Sequence, residues 1–383
     1  MQLISMNTYS FTARKARELA QRGLSLVELM VGLTIGMMLT LGLFTLISNQ
    51  SATFKVQDDF ARIQENGTLA LRYLGDSVRM AGFYGYVMDP ATVDKTIGGI
   101  NIPAANDCGS AANPPAANWA LNVNVPVSGF TGLTQANVNA ILPCIRAVNF
   151  VNNSPILITR SAGGFRIPDT APVGDLTADL AAQPNFAATV YVQGDPNAGL
   201  LFLGNGFAGL KAANSTRVLP NGNDVDIFEY RAHVYYIRPC SRPAGGVTDC
   251  TGAGDDAGLP IPTLVRQELI GIAMTEVPLV EGVDLVDLRY GIDTTNDGVP
   301  DTFTPEPALT NNWPNVVAVR VTVLVRSPTL TPLQNDSAKS YDLGGDGLVV
   351  YTCTAFPPPA CFYKRKVFSQ TFQLRNVAQR RGA

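Results

Sequence analysis

The chain has 383 residues, enough for one large or two modest domains with a real core, and a formal net charge of −3. Basic residues cluster only at Arg14, Lys15, Arg17 and Arg22, at Lys364-Arg365-Lys366 and at Arg380-Arg381, which argues against nucleic-acid binding through a basic face. Charged residues make up 15%, low for a cytosolic domain, and one histidine with no C-x-x-C argues against a zinc site.

Residues 1–23 form a basic leader that ends at Gly23, with either Met1 or Met6 as its start. It carries four basic residues and one acidic, net +3, so the rest of the chain carries −6. An apolar run follows at once. Glu28 is the only charged residue from Leu24 to Phe54, and Leu29 to Ile47 is 19 residues without a charge. A carboxylate in a membrane-length segment costs about 2.5–3.5 kcal/mol on insertion scales, which marks Glu28 as functional. A secretory signal is cut after its apolar run at an A-x-A-like site. Here no such site follows, and the small residue, Gly23, precedes the run. Basic residues before the run and mixed charge after it (Lys55, Asp58, Asp59) put the N-terminus in the cytoplasm and the body outside.

Residues 24–82 read as one helix. Residues 24–47 are its membrane part. Beyond them Val56, Phe60, Ile63, Gly67, Ala70, Leu71, Leu74, Val78 and Ala81 recur at helical steps, with Lys55, Asp58, Asp59, Arg62, Glu65, Arg72, Asp76 and Arg79 off the stripe. Such a helix would span about 85–90 Å, a length that suits a filament subunit better than a compact domain. Gly32 and Gly36 make a G-x-x-x-G, which in lipid permits close helix approach.

Residues 83–383 read as a β-rich domain. Residues 87–150 are loops rich in Ala, Asn, Pro and Gly. Strand signals follow at Ile156–Thr159, Ala188–Val192, Val225–Ile237, Leu264–Ile272, Val283–Tyr290, Val316–Arg326, Leu348–Tyr351 and Val367–Leu374. A long helix followed by a run of mainly antiparallel strands is α+β. Six cysteines fit an oxidising compartment, and sequence alone does not choose their connectivity. Their grouping suggests sequential bridges, Cys108–Cys144, Cys240–Cys250 and Cys353–Cys361. Asp293, Asp297, Gly298 and Asp301 stand at positions 1, 5, 6 and 9 of a calcium loop, while Thr295 and Thr304 occupy positions that would carry a carboxylate and a bidentate Glu. The alternative is an Asp-Gly turn with no ion, and no other cofactor is indicated. Gly344-Gly345-Asp346-Gly347 reads as a flexible turn, and lacks the Lys-Ser/Thr of a phosphate loop. His233 lies in a strand without triad partners in sequence and reads as structural, on the solvent side; no G-x-S-x-G elbow is present, so an anchored enzyme has no residue set to stand on.

The N-terminal arrangement resembles the class III signal of type IV pilins and pseudopilins. In that resemblance Gly23 precedes the prepilin peptidase cut, Leu24 becomes the N-methylated N-terminus in place of the commoner Phe, and Glu28 is the fifth mature residue. Leu288-Arg289-Tyr290-Gly291, Asp293, Asp297-Gly298 and Asp301, then Val316–Val321, Val325-Arg326-Ser327 and Phe372–Asn376, are similar to PilW-type minor pilins. The resemblance covers residues 23–86 and 264–376. It implies a non-catalytic minor pilin that primes or caps a type IV pilus. The subunit would be held in the inner membrane with its domain in the periplasm, then in the pilus. Its partners would be other minor pilins, the major pilin and the prepilin peptidase, with Glu28 paired to a neighbour's N-terminal ammonium. A minor pseudopilin of a type II secretion system is the alternative.

Overall fold

One helix, α1 (Leu26–Met80), precedes every strand of the chain. The computed structural model describes residues 25–170, 172–252, 254–305, 312–331, 335–347, 350–355 and 359–382, without the side chains of residues 51 and 52. The chain divides into two units, Met1–Gln57 and Asp58–Ala383.

In the first unit the helix is apolar and long enough to cross a membrane, and its side chains are exposed. Its threonine hydroxyls are satisfied within the helix. Thr34 donates to the Val31 carbonyl (2.9 Å), Thr40 to Gly36 (3.0 Å) and Thr45 to Gly42 (2.8 Å). Hydroxyls bonded to their own backbone carry no unmet polar group into hydrocarbon.

The second unit holds the last turns of α1 and two large sheets. The first sheet comprises β1 (Val93–Gly98), β2 (Val127–Phe130), β3 (Ile156–Arg166), β4 (Val190–Gly194), β5 (Gly199–Leu203), β6 (Ile227–Arg238), β7 (Thr263–Ile270) and β8 (Ala273–Glu281). Its order is β1-β5-β4-β6-β3-β2, with β7 on β6 and β8 on β7. Only β1 with β5 is parallel among the described strands. The second sheet has the order β10-β9-β11-β14, from β9 (Val283–Ile292), β10 (Thr302–Thr304), β11 (Val316–Arg326) and β14 (Arg365–Gln373). A small pair, β12 (Ser340–Asp342) and β13 (Val350–Thr352), stands apart. Later helices are short: α2 (Val138–Ile141), α3 (Thr177–Ala181), α4 (Phe207–Ala212) and α5 (Arg375–Arg381).

The helix stripe meets both sheets in one core. Ile63, Ala70, Leu74, Val78 and Ala81 pack with Leu157 and Tyr235 of the first sheet and Val286, Leu288, Val321 and Val323 of the second. The expected stripe extends too far toward the N-terminus. Val56 and Phe60 are exposed, and the residue on the buried face one turn before Ile63 is Asp59, only 5% exposed. Four-residue steps lead from Asp59 through Ile63 to Gly67, so the face is continuous and its first position is a charge.

Two glycines on that face make room for β14. A Cβ on Gly67 would lie 2.4 Å from the Phe368 ring, and one on Gly75 would lie 2.3 Å from the Phe372 ring. Both rings are therefore knobs set against bare helix backbone. Gly67→Ala is expected to lower stability by about 1–3 kcal/mol through overpacking, despite alanine's better helix propensity. Denaturant unfolding of the variant checks this, and Phe368→Leu in the same chain should recover part of the loss.

Candidate functional site

The N-terminal residues Gly23 and Leu24 lie outside the described residues. Glu28 sits in the first turn of α1. Its Oε2 accepts from the Ser25 N–H (3.0 Å), while the Ser25 Oγ accepts from the Glu28 N–H (3.2 Å). This is a reciprocal capping box, S-x-x-E, which satisfies two of the free amides at a helix start. The spacing Ser25-Leu26-Val27-Glu28 announces it, a second meaning of Glu28 that sequence reasoning overlooked. In the single chain the carboxylate is exposed, and among the described residues its hydrogen bond is to the Ser25 amide.

Where the second unit begins, Asp59 is joined to the far end of the chain. Its Oδ2 is 3.0 Å from Lys364 Nζ, and its Oδ1 accepts from Thr329 Oγ1 at 2.6 Å. Both charged side chains are more than nine-tenths buried. Lys364 Nζ also lies 5.5 Å from the Phe60 ring. No sequence signal marked Asp59, because its partners are some 270 and 305 positions away.

The stretch around Leu288-Arg289-Tyr290-Gly291 divides its residues between two faces of β9. Val286, Leu288 and Tyr290 are buried toward the helix. Asp284, Asp287 and Arg289 are buried as ion pairs. Arg289 Nε is 2.9 Å from Asp287, and both Arg289 terminal nitrogens donate to Asp346. Asp284 is 2.7 Å from Arg365, which also donates to Tyr351 and to the Ala360 carbonyl. The Gly344–Gly347 turn is thus docked through Asp346, and Asp342 accepts from the amides of Gly345 and Gly347 at 2.9 Å. The expectation of a flexible turn gives way to a turn held by Arg289.

The cysteines lie in three bridges, Cys108–Cys144, Cys240–Cys250 and Cys353–Cys361, with Cα separations of 4.7, 5.9 and 5.0 Å. Among the described residues, the single set of three ligating side chains within 4.8 Å of one another is Cys240, Cys250 and Asp255. Its sulfurs are in a disulfide and offer no thiolate to a metal. Asp255 accepts instead from the amides of Ala244, Thr251 and Gly252.

Asp293, Asp297 and Asp301 make no such set. Asp293 Oδ1 accepts from the amides of Thr295 and Asn296, and Oδ2 accepts from Gly298. Arg381 Nε donates to the same Oδ2 at 2.9 Å, and Arg381 also reaches the Asp293 carbonyl and Asn296 Oδ1. Burial raises the Asp293 carboxyl, but Arg381 and the amides of Gly298 and Asn296 prevail and hold it down to about 2. Asp301 accepts from the Thr294 amide and hydroxyl at 2.7 Å. Asp297 is exposed and accepts from the Val299 amide. The most buried carboxylate of the loop is thus met by a guanidinium and by backbone amides.

His233 is half-buried and meets the helix. Its Nδ1 is 3.3 Å from Ser77 Oγ, which also bonds the Tyr235 hydroxyl at 2.5 Å. Burial, then Arg266 and Arg231, push its pKa well below the ordinary value, so the ring is neutral. His233 thus has a structural place at the helix–sheet seam while still lining a cleft.

Against this geometry, comparison with known proteins finds two family matches. Residues 235–376 match the family Type IV Pilus-assembly protein W, and residues 19–44 match the prokaryotic N-terminal methylation motif. The first covers β9, β11, β14 and the ion pairs of Arg289 and Arg365. The second covers Gly23, Leu24 and Glu28. A type IV-like pilin from Thermus thermophilus is 18% identical over 38% of this chain and 79% of that one, with a TM-score of 0.17, a score that carries no argument. No curated protein matches the chain. The methylation motif and the apolar helix together mark a membrane-anchored pilin-like chain.

Proposed function

We propose that this chain is a minor pilin of a type IV pilus, made as a prepilin and cut after Gly23. The observation that carries the reading is the coexistence of a prepilin methylation motif at residues 19–44 with a pilus-assembly match at residues 235–376. A type II secretion pseudopilin shares the first feature, and the second favours the pilus. In this reading residues 24–47 hold the subunit in the inner membrane, the domain faces the periplasm, and the subunit later joins the pilus. Its partners are the prepilin peptidase, other minor pilins and the major pilin. Its work is assembly, without catalysis. Cysteine pairing would take place in the oxidising periplasm.

Mass spectrometry of the mature protein tests the reading. The expected N-terminus is N-methylated Leu24, and Gly23→Phe should leave the leader attached. A mature chain starting at residue 1 or 6, or after residue 47, would exclude a pilin.

The aspartate loop takes Arg381 in place of a cation. The melting temperature should therefore be the same in millimolar calcium and in chelator. Arg381→Ala should lower it, with the loss largest at neutral pH. Asp293 has its folded pKa depressed, so its contribution is present above the ordinary aspartate range and fades as pH falls toward 2. A calcium-dependent rise in the unaltered chain would show that an ion displaces the guanidinium.

A further inference from the structure

Hairpin β7–β8 overhangs a cleft of about 730 Å³, well within the size range of ligand sites. Met274, Glu276 and Pro278 of β8 form one wall. The other wall comes from two loops braced by disulfides, through Cys144 and through residues 241–248 between Cys240 and Cys250. Three features of this cleft have no role in the proposed assembly function.

The first is an orphan acceptor. Gln267 lines the cleft and is 4% exposed. Its Nε2 donates to the Cys144 carbonyl (3.0 Å) and the Tyr236 hydroxyl (3.3 Å), but its Oε1 is buried with no hydrogen-bond partner. A buried acceptor left so costs about 1–3 kcal/mol, which an N–H from a ligand would recover.

The second is charge. The lining carries three arginines and one carboxylate, Glu276. Arg238 is paired with Glu276 (2.6 Å) and Arg146 with Asp249 (2.6 Å). Arg242 is exposed, and its side chain has no ion pair among the described residues. One cation at the cleft is therefore unmatched, in a chain whose net charge is negative.

The third is an open strand edge. β8 pairs with β7 and with no other described strand. Ile270 opposite Ala273 closes a two-residue hairpin. The closing pair of such a turn is hydrogen-bonded, so alternate residues of β8 turn their N–H and C=O outward, beginning with Met274 and Glu276. Pro278 follows in phase and offers only its carbonyl, which bounds the usable edge.

We propose that this cleft receives an extended, acidic segment of a partner polypeptide. The segment adds to the β8 edge from Met274 to Glu276 and places a carboxylate on Arg242. Strand addition supplies backbone bonds, and the alternate side chains supply selectivity. A second copy of this chain fits less well, because a dyad at this edge would bring one unpaired Arg242 toward another.

The test uses the full chain in detergent micelles and a fluorescein-labelled synthetic peptide, Glu-Thr-Val-Glu-Val-Thr-Val-Glu, with a counterpart carrying Lys at each Glu. Fluorescence anisotropy should show saturable binding of the acidic peptide and at least tenfold weaker binding of the lysine peptide. Arg242→Glu, an exposed substitution, should weaken the acidic peptide at least tenfold. Met274→Pro removes an outward N–H while sparing the β7 ladder, and should have the same effect. Equal binding of both peptides, no binding up to about 1 mM, or binding unchanged in both variants would overturn the proposal. So would self-association of the chain that Met274→Pro abolishes, which would assign the edge to a second copy. None of these outcomes depends on the processing of Gly23.

Discussion

Glu28→Val is expected to leave the subunit in the membrane at normal levels and to abolish surface pili. Removing a carboxylate from an apolar segment favours insertion, by about 2.5–3.5 kcal/mol if the group lies at depth. In the proposed pilus Glu28 pairs with a neighbour's N-terminal ammonium, so its loss would strand that ammonium, and breaking a buried pair costs about 3–5 kcal/mol. The capping box gives this prediction a control. Glu28→Gln keeps a side-chain oxygen for the Ser25 amide, as capping boxes with Gln do, but carries no charge. Glu28→Gln should therefore fail in assembly as fully as Glu28→Val. The checks are immunoblots of membrane fractions and electron microscopy of sheared pili. Normal piliation by Glu28→Gln, with failure of Glu28→Val, would reduce the role of Glu28 to the local cap, which is worth only about 1 kcal/mol.

Asp59→Ala should destabilise the second unit by about 3–5 kcal/mol, since it leaves the Lys364 ammonium buried without its counter-charge. For a domain with roughly 5–15 kcal/mol to spare, that is a large fraction. For a unit as large as Asp58–Ala383 the corresponding fall in melting temperature is roughly 4–7 °C. Lys364→Met should cost less, because the Asp59 carboxylate still accepts from Thr329 Oγ1. The double variant Asp59→Leu with Lys364→Met should return close to the parent, as apolar replacements of buried pairs do. Thermal melts of the full chain in detergent measure all three. A melting temperature for Asp59→Ala within a degree or so of the parent would mean that the pair is solvated in solution.

Much of the architecture was legible in the chain itself. Apolar residues at steps of three and four placed the buried face of α1 from Ile63 to Ala81. Runs of β-branched residues placed β9, β11 and β14 to within a few positions. The strands that escaped notice, β1, β2, β5, β8, β10 and β12, are short, hold Gly or Pro, or lie at an edge. In β8 the half-exposed pattern and Pro278 hide the period that a buried strand displays. The roles proposed for Gly23, Leu24 and Glu28 rest on order along the chain: a small residue, then a long apolar run, with one carboxylate inside it.

The charges behaved differently. Asp59, Asp284, Asp287, Arg289 and Lys364 look like surface residues in sequence, and all are buried. Desolvating each requires a partner, and the partners of Asp59 and Asp284 stand hundreds or tens of positions away, on segments that only the folded chain brings near. The Asp293 loop shows the same limit. Its spacing reads as a cation loop, but Arg381, from the last helix, supplies the positive charge. Periodicity and backbone chemistry act between neighbours in the chain, so sequence alone determined the anchor, the helix face and the principal strands. Compensation of a buried charge acts between neighbours in space, so only the tertiary structure decided which charges enter the core and what meets them there.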